Sequence, residues 1–314
     1  MAIYREPSDA SPALVQYGHT KSISAMVYAN GSLFSSAFED STGTVKGQLL
    51  QWDVKSGVAT GFEGELHSNM IIGLGFPSSG DLVTCGADDS VAFIKPSTPL
   101  EMRGDKVQIG AAPKSFGCGS AIAAVVTTTD KLVVISTAEK KIAKEVKLPY
   151  SPTCVAVALN DGIIAIGGED NVVHVVDANG AEKFALARHR DHVSTVAISP
   201  QSDKIASGCN NKEVVVWSAV DGTPLVTGLS GFHTARIYCL AWAPDNNGLA
   251  SGGVDATIIL WDLEAKRAKE TIKNAHTGGA IRALTFADSN TLFSAGQDAN
   301  IKKWTVAGGA VDLS

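Results

Sequence analysis

An aspartate or asparagine recurs along this 314-residue chain at intervals of just over forty residues. Backward from Asp298, the same point of the pattern is occupied by Asp255, Asn211, Asp170, Thr129 and Asp88, at gaps of 43, 44, 41, 41 and 41 residues. A tryptophan or aliphatic residue follows each of them six positions later, and a seventh copy ends at Trp52. A period of this size means that each copy is one small unit that buries its apolar surface only against its neighbours.

Within each copy, short runs of alternating apolar residues are separated by turn residues. In the sixth copy, the runs IYCLAW at 237–242 and TIILWD at 257–262 flank a turn that contains Pro244 and Gly248. Such runs are typical of β-strands, and copies of 40–45 residues with Gly-His and Trp-Asp marks are typical of WD40 repeats. The sequence therefore predicts an all-β fold, a seven-bladed WD40 β-propeller over residues 13–306, between flexible tails at 1–12 and 307–314.

The ends of the repeated region predict how the ring closes. Only ten residues follow Trp304, whereas ALVQY at 13–17 precedes the first Gly-His pair and has the character of a strand. We expect this N-terminal stretch to complete the seventh blade, because an uncovered sheet edge invites aggregation.

Four residue types predict an internal hydrogen-bonded brace in several blades: a loop histidine, a second-strand hydroxyl, a turn carboxylate and a third-strand tryptophan. The nitrogens donate, the carboxylate accepts and the hydroxyl does both. The predicted sets are His233, Ser251, Asp255 and Trp261; His276, Ser294, Asp298 and Trp304; and His192, Ser207, Asn211 and Trp217. Because these residues follow the period of the scaffold, we interpret them as structural.

Composition narrows the class of protein. The net charge is −6 without a dense basic stripe, which argues against nucleic acid as the main partner, and no long apolar run suggests a membrane segment. The five cysteines form no CxxC pair, which favours free thiols in a reducing, cytoplasmic environment.

No G-x-S-x-G or P-loop pattern occurs. His189 and His192 are suitably spaced for a metal, but no cysteine lies near them in sequence. We therefore expect no enzymatic activity, cofactor, metal or small-molecule substrate.

A propeller offers loops from many repeats on one rigid face, so partner contacts are expected there. The first repeat is longer by seven residues, which predicts a projecting acidic loop at 38–47. The candidate contact residues are the residues that precede the turn position or open each first strand, together with this loop: Phe38, Glu39, Asp40, Asn69, Met70, Glu169, Asn210, Arg236, Arg282 and Gln297.

Several phrases together resemble the C-terminal propeller of the actin-interacting protein 1 (WD-repeat protein 1) family. They are GHTKSISA at 18–25, HSNMIIG at 67–73, GDLVT at 80–84, SPTCVA at 151–156, IGGEDNVVHV at 166–175, FHTARIYCLAWAPDN at 232–246 and SAGQDANIKKW at 294–304. The resemblance implies binding to cofilin-decorated actin filaments, help in their disassembly, and association with the cytoskeleton. Members of that family carry two propellers, so the resemblance also implies a second propeller that this chain does not contain.

Two other functions stay open at this point. The chain could be a WD40 scaffold or substrate-receptor subunit of another complex, such as a ubiquitin ligase. A propeller enzyme would require a nucleophile with its base, convergent carboxylates or a metal cluster near the axis, and the sequence does not assemble one.

Overall fold

The computed structural model describes residues 14–41 and 44–306. These residues form 29 β-strands in seven antiparallel sheets and no helix, so no helix capable of crossing a bilayer occurs among them. The predicted all-β fold and the seven-bladed propeller are confirmed. The predicted tails at 1–12 and 307–314 lie outside the described residues.

Each blade is one sheet, and in six of them the strands follow one another in chain order from the axis outward, whereas blade 7 takes its outer strand from Leu14–Tyr17. The first strand, β1, is Leu14–Tyr17, and blade 1 contains β2 (Ile23–Ala29), β3 (Ser32–Ser41), β4 (Thr44–Asp53) and β5 (Ala59–Gly61). Blade 2 contains β6 (Ile71–Gly75), β7 (Leu82–Gly86), β8 (Ser90–Lys95) and a divided outer strand, β9 (Glu101–Met102) and β10 (Val107–Gln108). Blade 3 contains β11 (Pro113–Cys118), β12 (Ile122–Thr127), β13 (Lys131–Ser136) and β14 (Lys141–Lys147).

The remaining blades follow the same plan. Blade 4 contains β15 (Pro152–Val157), β16 (Ile164–Gly168), β17 (Val172–Val176) and β18 (Glu182–Ala187). Blade 5 contains β19 (Val193–Ile198), β20 (Lys204–Cys209), β21 (Val214–Ser218) and β22 (Pro224–Leu229). Blade 6 contains β23 (Ile237–Trp242), β24 (Gly248–Gly253), β25 (Ile258–Asp262) and β26 (Arg267–Ile272). Blade 7 contains β27 (Ile281–Asp288), β28 (Thr291–Gly296) and β29 (Asn300–Thr305).

Strand β1 supplies the outer strand of blade 7. It pairs antiparallel with β29, from Leu14 opposite Lys303 to Tyr17 opposite Asn300. The predicted closure is confirmed, and the hydrogen-bonding edge of β29 is thereby covered.

The hydrophobic core consists of seven clusters, and each lies between two neighbouring blades. Between blades 4 and 5, for example, Val173 and Val175 pack against Val193 and Ile205. Because each blade is covered on both faces, its third strand can be apolar throughout, as in VVVW at 214–217. Burial between blades therefore provides the main stabilisation of the ring.

The insertion in blade 1 consists of paired strands, where the sequence predicts a loop. Strands β3 and β4 continue as paired strands to Ser41 opposite Thr44, so the extra residues lengthen a hairpin. Its main chain reaches blade 2, where Gly47 N–H donates to the carbonyl of His67 at 3.0 Å. An ion pair of 3.1 Å between Lys46 and Glu65 lies beside this contact. Pairing with the neighbouring blade satisfies polar groups that a free loop would expose to water.

Candidate protein-interaction surface

Blades 6 and 7 contain the hydrogen-bonded brace on the residues that the sequence indicates. In blade 6, Trp261 Nε1–H donates to Ser251 Oγ at 2.9 Å, and His233 Nε2 lies 2.8 Å from the same oxygen. His233 Nδ1 lies 3.1 Å from Asp255. In blade 7 the equivalent distances among His276, Ser294, Asp298 and Trp304 are 2.7–2.8 Å.

These polar groups are committed to the scaffold. The hydroxyl and the imidazole of each set are buried, so removing one member leaves a buried partner with an unmet hydrogen bond. Burial acts to raise the pKa of Asp255 and of Asp298, but hydrogen bonds from the histidine and nearby main-chain N–H groups outweigh it and lower both pKa values.

In blade 5 the prediction of His192 and Asn211 as brace residues is wrong. His189 Nε2 lies 2.7 Å from Ser207 Oγ, to which Trp217 Nε1–H donates at 2.8 Å, whereas His192 and Asn211 are exposed. The distance in sequence gives the reason: His189 precedes Ser207 by 18 residues, as His233 precedes Ser251. His192 is three residues too close to reach the hydroxyl from the loop.

Blade 1 has a brace that the sequence analysis missed. His19 Nε2 lies 2.7 Å from Ser35 Oγ, which accepts the N–H of Trp52 at 2.7 Å. The carboxylate is replaced by Gln48, whose Oε1 lies 2.6 Å from His19 Nδ1. Burial lowers the pKa of His19 to about 4, and the hydrogen bond to Gln48 offsets only part of that effect.

A β-bulge occurs at the same position in the innermost strand of every blade, as shown by a register shift of one residue. A bulge leaves one residue unpaired and redirects its side chain. The seven unpaired residues line a cavity of about 840 Å³ on the propeller axis. They are Ser24, Ile72, Lys114, Thr153, Ser194, Tyr238 and Arg282.

The mouth of this axial cavity brings together most of the candidate contact residues. Those that line it are Phe38, Met70, Glu169, Asn210, Arg236, Arg282 and Gln297. Asn69 is exposed next to them and accepts the N–H of Met70 at 2.7 Å. Glu39 and Asp40 lie in β3, and their side chains are outside the described part of the chain.

The sector of the mouth at blades 6 and 7 is cationic and aromatic. The guanidinium carbons of Arg236 and Arg282 lie 5.0 and 4.5 Å from the centre of the Tyr238 ring. Arg282 also donates to the Tyr238 hydroxyl, and its Nε is buried without a partner among the described residues. No described carboxylate forms an ion pair with either arginine. Arginine and tyrosine are the residue types that carry binding energy at protein interfaces.

The opposite sector, at blades 3 to 5, is already internally bonded. Lys114 pairs with Glu169 at 3.4 Å, and the hydroxyls of Thr153 and Ser194 donate to main-chain carbonyls of the next blade at 2.5 and 2.6 Å. Burial raises the pKa of the nearby Cys154 thiol to about 11, which keeps it protonated and weakly nucleophilic. Among the described residues of the mouth, the cationic side chains without a carboxylate partner therefore lie on blades 6 and 7.

Comparison with known proteins agrees with this architecture. The family model "WD domain, G-beta repeat" matches residues 181–218, 222–262 and 269–305. Actin-interacting protein 1 of Drosophila melanogaster is 30% identical over 313 residues, which cover 96% of this chain and 49% of that protein. Actin-interacting protein 1 of Caenorhabditis elegans is 30% identical over 306 residues, covering 93% and 48%. The "66 kDa stress protein" of Physarum polycephalum is 29% identical over 303 residues, covering 94% and 48%.

The chain thus spans about half the length of the curated relatives it matches. It contains WD40 repeats, and over nearly its whole length it is similar to about half of the proteins named actin-interacting protein 1 or WD repeat-containing protein 1.

Proposed function

We propose that this chain is a non-catalytic protein-interaction propeller that binds cofilin-decorated actin filaments and promotes their disassembly. It acts in the cytoplasm in association with the cytoskeleton, and a second propeller, absent from this chain, contributes to the activity. The proposed function requires no cofactor, membrane, nucleic acid or small-molecule substrate.

One observation carries the proposal: two arginines without a described acidic partner converge on Tyr238 at the mouth of the axial cavity. Guanidinium groups held against an aromatic ring lose less conformational freedom when they bind a carboxylate than free side chains do. The site therefore favours an acidic protein surface, and Phe38 and Met70 elsewhere on the mouth supply apolar contacts.

The choice of actin as the partner is based on the names of the relatives. Two of them are named for interaction with actin, and the similarity extends over nearly the whole of this chain. The brace histidines and aspartates, which could suggest hydrolase chemistry, are tied into blade interiors. This arrangement supports a binding function over a catalytic one.

The test is cosedimentation of the full chain with actin filaments, with and without cofilin. We expect binding that depends on cofilin and decreases at least about tenfold in the double variant Arg236→Glu/Arg282→Glu, because two favourable charge contacts become repulsive. A matched control is Lys144→Glu/Arg267→Glu, which changes the net charge equally on the exposed outer strands β14 and β26.

Three results would count against the proposal. Equal loss in both double variants would indicate an unspecific effect of charge, and unchanged binding in the first would place the contact elsewhere. If the wild-type chain failed to bind decorated filaments and instead captured adaptor proteins of a ubiquitin ligase, the alternative of a scaffold or substrate receptor would replace the proposal. Thermal unfolding of each variant verifies that the propeller is intact.

A further inference from the structure

Blade 5 departs from the other braced blades next to its histidine. Blade 2 is also braced, since His67 lies 2.8 Å from both Thr84 Oγ1 and Asp88 Oδ1. Two residues after the brace hydroxyl, blades 2, 6 and 7 have a glycine and blade 1 has Ala37, whereas blade 5 has Cys209. A Cβ on Gly86, Gly253 or Gly296 would collide with the imidazole Nδ1 of its own blade's histidine. The Cys209 side chain therefore occupies the space beside the His189 ring that is kept open by glycine in blades 2, 6 and 7.

The carboxylate of blade 5 also comes from a different position. The turn residue that accepts from histidine in blades 2, 6 and 7 is replaced by Asn211, which is exposed. Two residues later, where those blades have Ser90, Thr257 and Asn300, blade 5 has Glu213. Its Oε2 lies 4.0 Å from His189 Nδ1, too far for a hydrogen bond.

Because of these changes, His189 Nδ1 lacks the carboxylate partner that the histidines of blades 2, 6 and 7 have. The atom is buried and has no hydrogen-bond partner among the described residues, and the side chain is fully buried. At the other end of the ring, Ser207 Oγ donates towards the carbonyl of Val215 at 3.5 Å. The hydroxyl is thus directed away from the ring and can accept from His189 Nε2–H, as it accepts from Trp217. With the proton on Nε2, Nδ1 presents a lone pair.

We propose that His189 Nδ1, Cys209 Sγ and Glu213 form a site for a borderline-soft divalent cation, best matched by Zn²⁺. The three candidate ligand atoms lie within 4.8 Å of one another. Zinc bond lengths place nitrogen and sulfur ligands about 3.6 Å apart in a tetrahedral site, which side-chain rotations of Cys209 and Glu213 can reach. Ca²⁺ and Mg²⁺ prefer oxygen ligands alone and fit this set poorly.

Binding follows ordinary zinc chemistry. The Cys209 thiol releases its proton to solvent and coordinates as thiolate, His189 remains neutral, and water completes the fourth position. Glu213, with 16% of its side chain exposed, is the ligand through which the ion enters from solvent. Ser207 orients the ring from its far side, as outer hydrogen-bond partners do for metal-bound histidines.

The experiment is titration of the metal-stripped full chain with Zn²⁺ by calorimetry, in the presence of a non-thiol reductant. We expect one ion per chain, and weakening by more than about 100-fold in Cys209→Ser and in Glu213→Gln, beyond the loss expected for an outer hydrogen bond. With Co²⁺ as probe, a thiolate-to-metal charge-transfer band appears in the wild type and is absent in Cys209→Ser.

Two controls make the result specific. Cys118→Ser removes a half-buried thiol in blade 3 and leaves both signals unchanged. Cys209→Gly/Asn211→Asp rebuilds the arrangement of blades 6 and 7 and abolishes binding while the propeller stays folded. If the chain shows no saturable binding of Zn²⁺ or Co²⁺, the proposal is wrong. Glu213 would then be interpreted as a substitute for the turn carboxylate, accepting a proton carried by His189 Nδ1. Binding that survives in both single variants would equally exclude this site.

Discussion

Blades 3 and 4 have the same four-stranded sheet as blades 6 and 7 but a different interior. Where blades 6 and 7 bond a second-strand serine to a third-strand tryptophan, blade 3 has Val125 and Ile135, and blade 4 has Ile166 and Val176. All four aliphatic residues are buried and join the clusters between blades. The backbone pairing is nevertheless equivalent: Val125 pairs with Val133 as Ser251 pairs with Ile259.

This comparison distinguishes the features that form a blade from the polar side chains that only some blades add. Alternation and burial against neighbours are present in every blade, whereas the polar brace is present in only some of those described. The family model matches within residues 181–305, the part of the chain that contains the three blades with a serine–tryptophan bond in succession. The matched blades therefore carry these polar marks, but blade 1, which also has a serine–tryptophan bond, lies outside the matched residues.

The largest expected effect comes from removing the brace hydroxyl of blade 6. Ser251→Ala leaves His233 Nε2 and the Trp261 N–H buried without partners, which costs about 3 kcal/mol of unfolding free energy. Urea unfolding measures this loss. Ser251→Thr is the control, because Thr84 already serves this role in blade 2. A loss below about 1 kcal/mol in Ser251→Ala would mean that braced blades depend on apolar packing as blades 3 and 4 do.

A smaller loss is expected when a side chain is added beside a brace histidine. The Cβ of Gly253→Ala would lie 2.7 Å from His233 Nδ1 and 2.5 Å from Asp255 Oδ1, so the brace must shift, at about 2 kcal/mol. Unbraced blade 3 holds Thr127 at this position. In Gly253→Ala/His233→Gln the shorter side chain relieves the collision. The two substitutions should therefore cost less together than the sum of their separate losses, and additive losses would refute the steric explanation.

The smallest effect is a dependence of stability on pH in blade 1. The folded pKa of His19 is about 4, below its ordinary value near 6.5, so between these values the unfolded chain binds more protons than the folded one. Stability contributed by neutral His19 is thus present above pH 6.5 and decreases on acidification, by about 1 kcal/mol at pH 5.5. Unfolding free energies at pH 7.5 and 5.5 measure it. His19→Gln should lack this component, and an equal decrease in that variant would assign the pH dependence to other groups.

The blade number, the closure and the brace of blades 6 and 7 could be predicted because each depends on local residues at a regular spacing. The brace of blade 5 was misassigned because its loop contains two histidines, and only the 18-residue distance to the serine distinguishes His189 from His192. Gln48 was missed because the long hairpin of blade 1 places it four residues before Trp52, whereas Asp255 precedes Trp261 by six.

The candidate site was harder to predict than the fold. The mouth of the axial cavity depends on a bulge in each inner strand, and nothing in a single strand marks which residue is left unpaired. The grouping of Arg236, Tyr238 and Arg282 joins residues from two blades. Likewise, Cys209 lies near His189 only because the loop before β19 folds back over the end of β20, which sequence distance does not reveal.

The junction of β1 with β29 has a mechanical consequence. Leu14 and Lys303 meet at the same end of the antiparallel pair, so tension applied to the two chain ends separates the strands one residue pair at a time, toward Tyr17 and Asn300. When the two strands peel apart, the force acts on one hydrogen bond at a time. If they slid past each other along their length, the force would act on all of the hydrogen bonds together. A load transmitted through the chain ends is therefore expected to open the ring at this seam first, while the six blades made of consecutive strands remain intact.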